Sequence, residues 1–464
     1  MKFLFLVFLV ATVIGCAPSA RGDTRLPKVF GSNMVLQQQK PVVIWGWDAP
    51  GTAVTVDLAG KSAQAVANKK GEWKVTLPAM AADGKACTLS VLGTSRVTFD
   101  NILLGEVWLA SGQSNMEKPL GREGAATADY PNLRLLHVIK KFDAKAQTDI
   151  EATWRVCSPT TAGGFSGAAY YFGRDLQTNL KIPVGTIESA LSGSPIEAWT
   201  PPEGFAMLPP PQPGKMWPPP QQLYNGMIHP LLPFSIRGAI WYQGEANRKD
   251  GPAYTEKMKA LVGSWRKLWG NDFPFYFVQI GPLQYPNDQP GTLPEFWEAQ
   301  TAAAKEIPNT GMIVINDIAS LHGDVASLQL HPPNKLDVGK RLALLALAQT
   351  YGQKDLVFSG PTFQAMAIEG DKIRVTFDHS GSGLVARDGQ PLNFFEIVDA
   401  DQSEFVPATA VIDGAGIVLS APGVKKPVAM RFAWSNTAMP NLMNKEGLPA
   451  GAFRAGTVPE RVGK

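Results

Sequence analysis

Between residues 25 and 104 apolar and polar positions alternate in short runs. Val42-Val43-Ile44-Trp45-Gly46-Trp47, Ala53-Val54-Thr55-Val56-Asp57-Leu58 and Glu72-Trp73-Lys74-Val75-Thr76-Leu77 are of this kind, and Asp48-Ala49-Pro50-Gly51 and Lys69-Lys70-Gly71 punctuate them. Alternation of period two turns one face to a core and the other to water, so short strands between Gly/Pro turns predict a small N-terminal β-sandwich over 25–104. After Asn101 the pattern changes. The run 104–111 is almost continuously apolar, and 184–189, 239–242, 275–280 and 312–315 resemble it. Such runs fit strands buried on both faces. Helical spacing lies between them. Tyr254, Met258, Leu261, Trp265 and Leu268 recur at steps of four and three before Gly270; Val338, Leu342, Leu345 and Gln349 form a second line ending at Gly352, with Asn334 placed to cap it. Alternating strands and helices predict an α/β domain over 105–352, a parallel sheet covered on both faces. From 355 the short strands return at 373–377, 394–398, 417–419 and 428–432, predicting a C-terminal β-sandwich region over 355–457.

Composition narrows the classes. Apolar residues are 45% and charged residues 18% of 464, which excludes a disordered chain. A mean hydropathy of −0.05 excludes a polytopic membrane protein. Lys+Arg 43 against Asp+Glu 40 leaves +3, too small a surplus for nucleic acid or an anionic membrane as main partner. The chain opens Met1-Lys2 and continues apolar from 3 to 14. A basic start and a short apolar run predict a signal peptide over 1–22, too short for a membrane span. Val13-Ile14-Gly15-Cys16 resembles a bacterial lipobox, whose cleavage frees Cys16 for lipidation; the alternative is ordinary cleavage between Ala17 and Ala20. Either way the expected protein is exported, periplasmic or extracellular, with or without a lipid tether at Cys16. Cys87 and Cys157 fall in different predicted regions and are expected as free thiols. Metal-ligand spacings such as Cys-x-x-Cys are absent, so no metal or cofactor is expected. One segment is biased: 201–220 holds nine prolines in twenty positions. It follows the second parallel strand and is expected either as a stiff wall beside the site or as a surface polyproline loop.

In an open parallel sheet, ligands bind outside the carboxyl ends of the strands. Read in order, those ends carry Gly112-Gln113-Ser114-Asn115-Met116, then Ser192-Gly193-Ser194, then Gln243-Gly244-Glu245-Ala246-Asn247, then Asn316-Asp317 and a loop to His331-Pro332-Pro333-Asn334. A hydroxyl, glycines, amides, carboxylates and a histidine on one edge are the parts of acyl transfer: nucleophile, base, orienting acid and oxyanion donors. Of the five histidines, His137 and His379 lie in strand-like segments. His331 directly precedes the capped helix and leads His229 and His322 as the base.

The block Gly105-Glu106-Val107-Trp108-Leu109-Ala110-Ser111-Gly112-Gln113-Ser114-Asn115-Met116-Glu117 resembles the first block of the sialate O-acetylesterase family, which are SGNH-type carbohydrate esterases. The likeness continues through Pro195-Ile196-Glu197-Ala198-Trp199, Asn225-Gly226-Met227-Ile228-His229-Pro230, Trp241-Tyr242-Gln243-Gly244-Glu245 and His331-Pro332-Pro333-Asn334-Lys335. It also covers Asn33-Met34-Val35-Leu36-Gln37 and Asn441-Leu442-Met443-Asn444-Lys445-Glu446-Gly447-Leu448-Pro449. The resemblance implies a flavodoxin-like SGNH hydrolase domain in which Ser114 attacks an acetyl carbonyl and His331 carries the proton. It implies oxyanion donors at the Ser114 and Gly193 backbone N–H groups and an amide, Gln243 or alternatively Asn247. Two positions depart from the family pattern. Leu191-Ser192-Gly193 stands where the family often has Trp-Gly-Gly, and Gln329 stands where it often has an Asp two residues before the His. The orienting acid is then expected to be Glu245, with Asp317 and Asp324 as alternatives.

The implied partner is an acetylated sugar or oligosaccharide. Acetylated xylan or another polysaccharide is the rival substrate, since a sialate pocket should offer an arginine to the sugar carboxylate, and Arg122, Arg174, Arg237 and Arg248 are near in sequence. A rival of another class is a non-catalytic carbohydrate-binding surface protein. The lipobox-like run makes its own prediction: the native protein should fractionate with membranes, and Cys16→Ser should release it. Mass spectrometry showing an unmodified N-terminus downstream of Cys16 would leave plain secretion instead.

Overall fold

The computed structural model describes residues 22–209 and 216–458; the signal segment, Cys16 and the end of the chain lie outside the described residues. The backbone of the fold is one long strand, β1 (Arg96–Gly112). Its first half alternates and pairs antiparallel with Cys87–Leu92 of the N-terminal region. Its second half is buried throughout and forms the centre of the main sheet. The strand therefore crosses position 104, where the sequence pattern changes: the change from alternating to continuous apolar residues marks where the strand passes from a half-solvated sheet to one covered on both faces.

The main sheet contains β1, β2 (Tyr130–His137), β3 (Trp154–Cys157), β4 (Val184–Ala190), β5 (Gly238–Tyr242), β6 (Phe275–Val278) and β7 (Thr310–Ile313). Their order is β7-β6-β5-β1-β4-β2-β3. All these pairs are parallel except β2 with β3. Without that edge pair the order is 2-1-3-4-5, a doubly wound arrangement whose direction of winding reverses beside β1. Helices α1 (Gly167–Leu180) and α4 (Lys335–Gln349) cover one face, α2 (Ala253–Trp269) and α3 (Thr292–Glu306) the other. Alternate residues of β1 feed two cores: Val107 and Leu109 pack with Trp265 and Phe275, Trp108 and Ala110 with Phe172 and Leu342. Full burial of such side chains stabilises by about 1.5–3 kcal/mol each.

The helices follow their sequence signals. Tyr254, Met258, Leu261 and Trp265 of α2 are all buried, and Gly270 ends it in the left-handed conformation at φ 63°. Asn334 caps α4 by accepting the Asp337 N–H; the helix stops at Gln349, before Gly352. The N-terminal region folds its strands onto a core containing Val42, Ile44, Val54, Val56, Trp73 and Val75. The C-terminal region has two four-stranded antiparallel sheets with Ile373, Val375, Ile397, Leu419, Met430 and Phe432 buried between them. Cys87 and Cys157 are free thiols. Among the described residues no helix is long and apolar enough to cross a membrane.

The C-terminal region is fastened to the sheet's carboxyl edge. Asn316 donates to the Ala450 carbonyl at 2.8 Å and Arg387 to the Asp317 carbonyl at 3.1 Å. Beside these bonds the Asp317 carboxylate is held in a bidentate pair by Arg341 of α4, at 2.7 and 2.6 Å, both side chains buried. Removing one partner of such a pair strands the other charge, at a cost of about 3–5 kcal/mol. Asp317→Asn should therefore lower unfolding stability by roughly that amount in a denaturant titration. A loss under about 1 kcal/mol would mean the pair is solvated and does not tie α4 to the sheet.

Candidate active site

The carboxyl ends of β1, β4 and β5 meet at Ser114. The approach is close at Gly112, at φ 135°, where a Cβ would lie 2.2 Å from the Tyr242 carbonyl oxygen; only glycine lets β1 and β5 run on into their loops here. Gln113 N donates to that Tyr242 carbonyl at 3.0 Å, and its side-chain oxygen accepts Gly244 N and Ala246 N at 3.3 and 3.2 Å. The loop after β5 is thus held by the residue before the serine. Ser114 opens a single helical turn, Ser114–Glu117. Glu117 closes the third side: it accepts the N–H and hydroxyl of Ser192 at 2.6 and 2.7 Å, fixing the Ser192-Gly193 turn. Gly193 sits at φ 71°, a conformation strained for any side chain.

Asn115 joins the histidine loop to this frame. Its Nδ2 donates to Glu245 Oε1 at 2.6 Å and to the Leu330 carbonyl at 3.0 Å, and its Oδ1 accepts Lys335 Nζ at 2.7 Å. The residue after Ser114 therefore touches the residue before His331. Burial pushes the Glu245 carboxyl up, with Asn115 and Lys335 opposing; burial pulls the Lys335 ammonium down to about 7, with Glu245 opposing. His331 is itself lowered, first by burial and then by the charges of Lys118 and Lys335, against a smaller opposing effect of Glu117.

The expected site residues thus fall into two groups. The segments that carry Ser114, Gly193, Glu245 and His331 are joined by these contacts. The others have different work. Asp317 is held by Arg341. Asp324 caps a short turn by accepting Ser327 N, and is exposed. Gln243 spends its amide hydrogens on the Ser194 carbonyl and Asn247 Oδ1; Asn247 spends its own on Glu197 and Asp250. Neither amide has a spare N–H in this arrangement. By contrast, the backbone N–H groups of Ser114 and Gly193 have no acceptor among the described residues. Glu245 contacts Asn115 rather than the imidazole, and among the described residues no carboxylate hydrogen-bonds His331. Gln329 turns its amide to the Ser327 carbonyl. His229 is fixed to the Gln147 carbonyl at 2.7 Å, His137 pairs with Glu188 at 3.1 Å, and His322 lies exposed on its loop.

Three residues of the site carried no role in the sequence reading: Asn115, Glu117 and Lys335. Lys335 had a readable signal. It occupies the first position of α4, where the helix dipole disfavours a cation. A lysine there needs a reason.

A cavity of about 650 Å³ opens beside Gly193. Pro195, Phe205, Leu208, Met216, Trp217 and Lys257 line it together with Glu197, Asp250 and Glu256. The described parts of the proline-rich segment thus form one of its walls. Among the described residues no cluster of three or more His, Cys, Asp or Glu is placed to hold a metal ion.

Comparison with known proteins shows the family. The family model described as carbohydrate esterase, sialic acid-specific acetylesterase, matches residues 104–348. Sialate O-acetylesterase of Homo sapiens is 27% identical, over 93% of this chain and 91% of that protein. The rat sialate O-acetylesterase is 29% identical, over 77% of this chain and 79% of that protein. The crystal structure of a carbohydrate acetylesterase from Xanthomonas citri superimposes with a TM-score of 0.86 at 37% identity, covering 94% of this chain and all of the other. The chain belongs to the carbohydrate esterase family of sialic acid-specific acetylesterases, and is a sialate O-acetylesterase-like carboxylic ester hydrolase.

Proposed function

We propose that this enzyme removes O-acetyl groups from sugars through a Ser114 acyl-enzyme, with His331 as general base and then general acid. The observation that carries the reading is the Asn115–Leu330 bond at 3.0 Å, which brings the neighbours of nucleophile and base into contact. Ser114 attacks the acetyl carbonyl as His331 accepts its proton; the proton passes to the departing sugar alcohol; water, deprotonated by the same imidazole, then releases acetate. The unpartnered Ser114 and Gly193 N–H groups are the oxyanion donors. Glu245 is the acid of this reading, acting on the histidine loop through Asn115 instead of by touching the ring. The 2-1-3-4-5 strand order supports a flavodoxin-like SGNH domain over 105–352, flanked by β-sandwich regions at 25–104 and 355–457. Export, with or without the Cys16 tether, fits an enzyme whose substrates are glycans.

A second reading concerns the sugar. The cavity beside Gly193 is lined by Glu197, Asp250 and Glu256, while Lys257, the cation among its lining residues, is paired with Glu197 at 2.5 Å and Asp250 at 2.7 Å. None of the four arginines lines it: Arg174 pairs with Asp175, Arg237 with Glu106 and Arg248 with Asp288. A sialate carboxylate entering this space meets negative charge. A neutral acetylated sugar meets hydroxyl acceptors and the exposed ring of Trp217. This favours acetylated xylan or a comparable neutral polysaccharide.

Acetate release from O-acetylated sialic acids and from acetylated xylan, measured side by side, tests both readings. Ser114→Ala should abolish release from every substrate while leaving the circular dichroism spectrum unchanged; activity within threefold of wild type sinks the nucleophile assignment. Faster release from the sialic acids than from xylan would overturn the neutral-sugar reading.

The base gives a pH prediction. A histidine whose folded value is lowered stays neutral, and so competent as a base, to a pH below the ordinary 6.5. The acid limb of kcat/KM should therefore fall below 6.5, and Lys118→Met, which removes one opposing charge, should move it upward. A limb above 6.5 that ignores Lys118 would point to another base.

A further inference from the structure

Lys335 is 6% exposed at the first turn of a helix, placed against the helix dipole and taken out of water. Its surroundings explain how it is tolerated. Nζ donates to Asn115 Oδ1 at 2.7 Å and lies 5.2 Å from the centre of the Tyr242 ring; Glu245 supplies the opposite charge, and Lys118 is the other cation acting on it. Tolerance alone does not account for the order of the groups. Asn115 stands between a cation and an anion, and a carboxamide has a donor end and an acceptor end. With its oxygen on the ammonium, both amide hydrogens face acceptors, Glu245 Oε1 and the Leu330 carbonyl. Turned over, the NH₂ would face the ammonium and the oxygen would face two oxygens.

Resting on the reading of Ser114 and His331 as nucleophile and base, we propose that Lys335 is a positioning residue: its ammonium locks the Asn115 carboxamide in the one orientation that clamps the Ser114 turn to the His331 loop. Asn115 follows the serine and Leu330 precedes the histidine, so the lock acts on both partners of the proton transfer through one side chain. Geometry of this kind matters steeply, because a misplacement of about 1 Å can cost about 10² in rate. Lys335 has a second effect on the same step. With Lys118, and against Glu117, its charge disfavours the imidazolium form of His331 and keeps the base ready.

Lys335→Met keeps the apolar stem and removes the ammonium. Measured at or below pH 7, where the lysine carries its proton, the expected result is a fall in kcat of ~10², with KM within about threefold, because the lock bears on reacting groups and not on the sugar cavity. The acid limb of kcat/KM should also rise toward the ordinary imidazole value, which a merely structural lysine would not cause. Above the acid limb, where the direct charge on His331 no longer changes the fraction of neutral imidazole, the Lys335→Met change on an Asn115→Ala background should cost less than about threefold more in kcat, since the lysine reaches the serine only through that amide. Near-normal kcat in Lys335→Met, an unmoved acid limb, or full additivity with Asn115→Ala overturns the proposal. Where Lys335→Met fails to fold, Lys335→Gln, which removes the charge and keeps a polar end, takes its place: a loss of ~10² in kcat supports the lock and a loss under about threefold overturns it. Ser114→Ala, run in parallel, separates the two levels. An active Ser114→Ala removes the underlying reading; an inactive one beside a fully active Lys335→Met removes the lysine's role alone.

Discussion

A carboxylate in the middle of the central strand sets the terms for the rest of the structure. Glu106 is fully buried, and burial alone would push it toward the neutral acid. It is held below the usual carboxylate range by Arg237, which donates at 2.5 and 2.9 Å, and by Gln38 and the Tyr351 hydroxyl. Each partner comes from a different part of the chain: Gln38 from the N-terminal region, Arg237 from the entry to β5, Tyr351 from just beyond α4. An ion moved from water into a protein costs several kcal/mol unless its hydrogen bonds are complete. This one is complete only when the N-terminal region, the sheet and the last helix of the central domain are all seated. The requirement selects one arrangement of these elements over the looser ones that hydrophobic burial alone would accept.

The site inherits that arrangement. β1 is fixed at its middle by Glu106 and at its end by the Gly112 approach to β5, so the Ser114 turn leaves the sheet in a defined direction. The three loops around it are then fastened to the block that carries the serine: the β5 loop by Gln113, the β4 loop by Glu117 and the histidine loop by Asn115. All three fastenings are side chains within four residues of Ser114. The serine is thus the fixed point, and loops from distant parts of the sequence are brought to it.

Much of this was legible in the chain, and the rest was illegible for physical reasons. Strands buried on both faces announce themselves as unbroken apolar runs, and α2 and α4 carry both periodicity and end signals at Gly270 and Asn334. The edge pair β2–β3 is harder. Tyr130-Pro131-Asn132-Leu133-Arg134-Leu135-Leu136-His137 mixes exposed and buried positions, with Arg134 buried beside leucines, so neither period dominates. Ser114 and His331 drew notice at the carboxyl ends of strands, and the resemblance pointed to Gly193 and Glu245. Asn115, Glu117 and Lys335 drew none, because what they do depends on partners up to 220 residues away. Asp317 shows the converse: a carboxylate at the right strand end, engaged by an arginine that no local pattern could have paired with it.

The place of Gln329 now has a physical reading. A Ser–His pair gains from a carboxylate in two ways, by orientation of the ring and by stabilisation of its charged form. On the proposed reading of Ser114 and His331, the two duties are separated. Gln329 anchors the loop through its backbone to Ala319 and its amide to Ser327, and the Asn115–Leu330 bond sets where His331 sits. Orientation is therefore provided by contacts to the loop, with Glu245 and Lys335 acting through Asn115, and not by a carboxylate on the ring. The charge duty falls elsewhere: among the groups that act on His331, Glu117 favours the imidazolium, and Lys118 and Lys335 oppose it. Burial first and then these charges lower the proton affinity of the imidazole, which makes it a weaker base than one hydrogen-bonded to a carboxylate. A weaker base becomes a stronger acid once protonated, which helps the step in which the sugar alcohol departs. On that reading more of the transition-state stabilisation falls to the oxyanion side, where the Ser114 and Gly193 N–H groups have no other acceptor among the described residues.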